Sequence, residues 1–221
     1  MNPNPHISEQ YESELEHARN LLMEMGGIVE QQLRDACQAL ATHDVELAQS
    51  VRDIDDRFNK LEVDLDELCV HIIALRQPAA TDLRALISIL KASTDLERIG
   101  DESCRIAKTA MAVAHMEFPA DQYNDIRNLG ADASVMLTDT LDVFARIDDE
   151  KALRLIESDA KIDDGYDAIV RQRGKEMLER PEQIERALNV IWAARALERI
   201  GDHAKNISEY VVFLARGEIG R

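Results

Sequence analysis

Apolar residues recur at helical spacing through nearly the whole chain. Between residues 8 and 42, Leu15, Ala18, Leu22, Met25, Val29, Leu33, Ala36 and Leu40 fall on one stripe, as the 3.6-residue period of an amphipathic helix requires. Gly26-Gly27 interrupts that stripe and predicts a bend or a loosened turn. Thr42-His43-Asp44 offers N-caps for a second helix running to about Arg76. Pro78 stops it, because the residue before a proline disfavours helical geometry. Thr81 or a neighbour then caps a third helix reaching about His115. Glu117-Phe118-Pro119-Ala120-Asp121 reads as a domain boundary, and three more helices follow over roughly 121–147, 149–179 and 182–216, the last opened by Pro181. No strand-like alternation interrupts the pattern. The expectation is an all-α fold of two tandem, similar three-helix bundles, six helices in all, with domains at 1–117 and 118–221.

An internal repeat supports the halving. Leu96-Glu97-Arg98-Ile99-Gly100-Asp101 recurs identically as Leu197-Glu198-Arg199-Ile200-Gly201-Asp202. Each copy lies in the third helix of its set and follows a proline, Pro78 or Pro181, at a similar distance.

The repeat also carries the unusual chemistry. At 100° per residue, Glu97 and Asp101 fall on the stripe marked by Leu83, Leu86, Ile87, Leu90 and Cys104. Glu198 and Asp202 fall likewise with Leu188, Ile191 and Phe213. Glu62 and Asp66 sit four apart on the stripe of the second helix with Cys69 and Ile73, and Asn59 extends that row. The matching row in the second half is Asp159, Asp163 and Asp167. Carboxylates stacked four apart repel by a few tenths of a kcal/mol when exposed, and desolvation raises the cost to several kcal/mol per ion. Positive charge is therefore expected beside them. Oxygen donors converging from antiparallel helices suit hard or borderline divalent cations such as Mg²⁺, Mn²⁺ or Fe. Arginine is the alternative source: Arg84, Arg98, Arg186 and Arg199 are within reach, and Arg195 lies on the acidic stripe itself. Spacing leaves both open.

Composition narrows the surroundings of these rows. The chain has 221 residues, 45% of them apolar and 4% aromatic, and 43 acidic residues against 26 basic ones give a net charge of −17. That charge disfavours nucleic acid and anionic lipid, both of which need a basic patch to displace counterions. Cys37, Cys69 and Cys104 form no CxxC pair and predict small buried hydrophobes in a reducing compartment. No signal peptide and no membrane-length apolar run is visible, so a soluble cytoplasmic protein is expected.

The repeated Leu-Glu-Arg-Ile-Gly-Asp closely resembles the signature of the PhoU family of bacterial phosphate-transport regulators. So do Arg76-Gln77-Pro78-Ala79-Ala80-Thr81-Asp82-Leu83-Arg84, Met25-Gly26-Gly27-Ile28-Val29-Glu30 and Ala168-Ile169-Val170-Arg171-Gln172. The resemblance covers nearly the whole chain. It implies metal clusters held by Glu/Asp-xxx-Asp pairs, which fall here on Glu62 with Asp66, Glu97 with Asp101, and Glu198 with Asp202. Asp163 with Asp167 fits the spacing on the fifth helix, although aligning Tyr166 with Glu62 sets Val170 against Asp66. The expected metal set is thus Asn59, Glu62, Asp66, Glu97, Asp101, Asp163, Asp167, Glu198 and Asp202, for Mg, Mn or Fe/Zn. The resemblance further implies a homodimeric, cytoplasmic negative regulator of phosphate-starvation signalling. Its partners would be the ATPase subunit of the phosphate ABC transporter and the phosphate sensor histidine kinase, with membrane contact only through them.

Catalysis is not expected. A carboxylate-bridged di-metal enzyme needs two Glu-x-x-His pairs, and only Glu14 with His17 has the spacing, on positions off the stripe that predict solvation. Neither Gly-x-Ser-x-Gly nor a phosphate-binding glycine-rich loop is present. A plain interaction bundle without metal is the remaining competitor.

Overall fold

The computed structural model describes residues 5–53, 55–116 and 124–217, and among them every regular element is a helix. In order these are α1 (Pro5–Thr42), α2 (Val45–Arg52), α3 (Asp55–Arg76), α4 (Ala80–Val113), α5 (Asn124–Arg146), α6 (Asp149–Glu179) and α7 (Ile184–Arg216), with a 3-10 turn at Pro181–Gln183 before the last. The expected boundary at Glu117–Asp121 lies outside the described residues.

One predicted helix is two. The second stops at Asp53, whose backbone N–H turns back to the Ser50 carbonyl at 3.2 Å, and α3 restarts at Asp55. The break leaves carbonyls at the end of α2 without helical partners. Buried Gln32 of α1 meets one of them, donating from Nε2 to the Val51 oxygen at 3.0 Å. The expected cap at Thr81 is also corrected: Ala79 is the N-cap of α4 and supplies no side-chain bond.

The turns repeat as the sequence does. Asp44 accepts from the Leu47 N–H at 2.9 Å and Asp148 from the Lys151 N–H at 2.9 Å. Each follows a left-handed residue, His43 at φ 57° and Ile147 at φ 55°. These caps and the repeated hexapeptide place the two halves in one topology.

The halves are not independent bundles. α4 and α7 run antiparallel against each other, with α1 and α2 beside α4 and with α5 and α6 beside α7. Leu86, Ile89, Leu96, Ile99 and Ile106 of α4 are buried, as are Val190, Leu197, Ile200, Ile207 and Val211 of α7. At about 2 kcal/mol for each large aliphatic side chain, this shared core dominates the packing energy.

α1 continues unbroken through Gly26-Gly27, so the pair is not a hinge. A Cβ on Gly26 would lie 2.6 Å from Leu141 Cδ2 of α5, whereas one on Gly27 would meet nothing within 4 Å. On the other side of this seam, a Cβ on Gly130 would lie 2.9 Å from Cys37 Sγ. Bare backbone therefore lets α1 and α5 close up. Gly27→Ala should stabilise by about 0.5–1 kcal/mol through helix propensity alone. Gly26→Ala should lose that gain to overpacking and end roughly 1–3 kcal/mol below it in urea unfolding. Equal midpoints for the two variants would refute the close-approach account.

Candidate functional site

In the first half the acid rows lie at the margin of the core rather than inside it. Glu62 and Glu97 are half-buried there, while Asn59, Asp66 and Asp101 are exposed. The buried face of α4 runs instead through Leu96, Ile99 and Ile106, because that helix packs on both α1 and α7. Still, the two rows meet. Burial pushes the Glu62 carboxyl above its ordinary value, and the charges of Glu97 and Asp66 push it further. Among the described residues no cation pairs with Glu62, Asp66 or Asp101.

The second half gathers a different set. Asp159 is 2% exposed and Glu198 9%, whereas Asp163 and Asp202 are exposed. Burial raises the Asp163 carboxyl, and Asp159 and Asp202 raise it further. Burial also raises that of Glu198 against the opposing pull of Arg195, with Asp202, Asp163 and Asp159 adding to the rise. Asp167, placed in the row by motif spacing, stays on the surface with Arg171 at 4.0 Å. Asp159 lies in its stead, four residues earlier on the same row. Its carboxylate sits over the bare backbone of the repeated motif, where a Cβ on Gly201 would be 3.2 Å from Asp159 Oδ1. The four-residue spacing back from Asp163 was the available signal. Lys205, which donates to Asp159 Oδ2 at 2.9 Å, was absent from the sequence reading.

The donor chemistry of both clusters fits a hard divalent ion, since every member is a carboxylate. In the second cluster, Asp159 Oδ1 and Glu198 Oε2 are buried without a hydrogen-bond partner, and buried acceptors seldom stay so. Charge points more strongly to the first cluster. There Glu97 and Asp66 crowd Glu62, and among the described residues no cation pairs with Glu62, Asp66 or Asp101, whereas Lys205 and Arg195 already neutralise part of the second. Among the described residues, however, no three His, Cys, Asp or Glu side chains stand close enough to hold an ion as they are placed.

The arginine alternative is met only locally. Arg195 pairs with Glu198 and stacks over Tyr166 at 5.7 Å. Arg199 turns away to buried Glu102 at 3.1 Å, joining Arg105. Glu14 is not solvated as expected; it grips Arg76 of α3 at 2.7 and 3.1 Å, and His17 is exposed. Cys69 is buried while Cys37 and Cys104 are half-buried, and burial pushes the Cys37 and Cys69 thiols up to about 12. No helix is long and apolar enough to cross a membrane among the described residues.

Fold and site together define a duplicated helical-bundle protein in which α4 and α7 carry the same acid-bearing turn. The PhoU domain matches it twice, over residues 22–110 and 126–211. The chain belongs to the PhoU family. It is 47% identical over 212 residues to the phosphate-specific transport system accessory protein PhoU homolog of Pseudomonas aeruginosa, covering 96% of this chain and 88% of that protein. It is 42% identical over 218 residues to the accessory protein PhoU of Escherichia coli, covering 99% and 90%. The crystal structure of PhoU from Pseudomonas aeruginosa superposes with a TM-score of 0.91 at 46% identity, over 94% of this chain and all of that one. That of the phosphate transport system regulatory protein PhoU from Streptococcus pneumoniae gives 0.89 at 28% identity, over 96% and 99%.

Proposed function

We propose that this protein is a cytoplasmic regulator of phosphate transport that restrains phosphate-starvation signalling by linking the phosphate ABC transporter's ATPase subunit to the sensor histidine kinase. The reading rests on full-length similarity to proteins named as phosphate-specific transport accessory proteins. Physically it is a scaffold. Long helices with a continuous shared core hold two outer surfaces in a fixed relation, which suits simultaneous recognition of two partners. A homodimer would double those surfaces.

Divalent metal belongs to this reading. Glu62, Asp66, Glu97 and Asp101 would hold it in the first half, and Asp159, Asp163, Glu198 and Asp202 in the second. The ion would supply the positive charge that these rows lack and so brace the helices that carry them. Lys205 on Asp159 and Arg195 on Glu198 favour a second reading for the second half alone, in which side-chain cations do that work. No catalytic step is assigned to either cluster.

Deleting the gene should derepress phosphate-starvation genes in phosphate-rich medium, measured as reporter activity, and the wild-type copy should restore repression. Unchanged expression in the deletion strain would sink the regulatory assignment.

A further inference from the structure

The antiparallel seam between α4 and α7 has two ends related by the internal repeat. Leu96 and Leu197 are equivalent, so Lys91 corresponds to Trp192, Asp95 to Ala196 and Thr109 to Tyr210. At one end the seam is closed from within. The Tyr210 ring lies under Lys91, with the ammonium 5.4 Å from its centroid, and its hydroxyl donates to Asp95 Oδ2 at 2.8 Å. Asp95 is itself buried, with His203 Nδ1 at 2.7 Å from its other oxygen.

At the other end the equivalents of that aromatic ring and that carboxylate are Thr109 and Ala196. Both are small, and a cleft of about 330 Å³ opens beside them. Four cations line it, Arg105 and Lys108 from α4 with Arg195 and Arg199 from α7, on a chain whose net charge is −17. Buried Glu102 beneath them holds Arg105 and Arg199 at 3.1 Å each. Lys108 is exposed and has no anionic partner among the described residues. The chain's single tryptophan, Trp192, forms one wall and is 59% exposed.

We infer that this cleft docks an acidic peptide segment of a partner protein, one that carries an aromatic residue among its carboxylates. The segment would provide what the closed end finds within the chain: a ring packed against the seam and carboxylates facing cations. Trp192 offers the aromatic contact, and the cations favour a segment that brings its own carboxylates. The inference rests on the scaffold reading for its biological use but is tested by direct binding, which gene deletion does not report.

Trp192 fluorescence of the purified full chain provides the measurement, since no other tryptophan contributes. The probe is the synthetic peptide Gly-Asp-Glu-Phe-Asp-Glu-Gly, blocked at both ends. A saturable change in emission is expected, weakened by added salt and absent with the Asn/Gln version of the peptide. Lys108→Glu should weaken the affinity roughly fivefold, and Thr109→Tyr, which rebuilds the ring of the closed end, should abolish it. Lys161→Glu, on another face, should leave it unchanged. Absence of saturation, equal binding of the amide peptide, or an affinity untouched by Lys108→Glu overturns the inference. So does displacement of the peptide by millimolar inorganic phosphate, which would make the cleft a simple anion site.

Discussion

Added Mn²⁺ is expected to raise the unfolding free energy of chelator-stripped protein near neutral pH by about 3 kcal/mol, once the ion is in roughly hundredfold excess over its dissociation constant. The driving force is the unneutralised charge where α3 meets α4. Glu62 is half-buried, and Glu97 and Asp66 already oppose its ionisation. Replacing Glu62 by glutamine and Asp66 by asparagine together should act in the same sense, more weakly, on the stripped protein. Removing two like charges relieves repulsion and raises stability by about 1 kcal/mol or less, while most of the metal increment disappears. Identical melting curves with and without metal in the parent chain would leave the acid rows as surface charge.

The same groups set the pH response of the stripped protein. Folding raises the carboxyls of Glu62, Asp163 and Glu198, so the folded chain binds more protons than the unfolded chain above the ordinary carboxylate range. Their contribution is fully present at low pH and is lost as pH rises through the raised values. Glu14, Asp142 and Asp149 behave oppositely, because arginine partners lower them and their contribution fades as pH falls. Stability without metal should therefore climb as pH drops from neutral toward about 5 and decline below it. Saturating metal should flatten the upper limb.

Arg173→Ala should cost about 3 kcal/mol, near the lower end for breaking a buried ion pair by removing one partner. Arg173 is 2% exposed on α6, where its guanidinium clasps Glu176 at 2.7 and 2.8 Å and reaches Asp125 at the start of α5. Truncation strands two half-buried carboxylates and opens a void under the α5–α6 pair. Their partial exposure keeps the penalty from the top of the range. For a chain of this length the loss corresponds to a melting temperature lower by roughly 6–12 °C. A change below about 1 kcal/mol in urea unfolding would show that this arginine is dispensable to the fold.

Arg173 also marks where sequence reading stops. Nothing in its neighbours along the chain distinguishes it from Arg171, which lies in solvent. Helix period, proline stops and aspartate caps act over a few residues, so the duplication and the helices, apart from the break between α2 and α3, were legible directly. Glu97 and Glu198 were legible as well, because an acid four residues before another on a mostly apolar helix is a local anomaly. Asp167 and Asp159 were not separable, since both occupy one row and only the approach of α7 decides which is covered.

The stripe drawn through Leu83, Ile87 and Leu90 shows the limit most directly. It treats each set of three helices as closed on itself, and it puts Glu97 and Asp101 in the middle of the apolar face. Packing α4 against α7 rotates the covered face toward Leu96 and Ile99 and leaves the acids at the rim. The sequence by itself determined the helices, the repeat and the family-defining turn, each set by short-range periodicity and backbone preference. Which carboxylates meet, which cations reach them and where the seam stays open were decided only by how α4 and α7 cross. Burial and Coulomb energies depend on distances between segments about a hundred residues apart, and no local pattern encodes those.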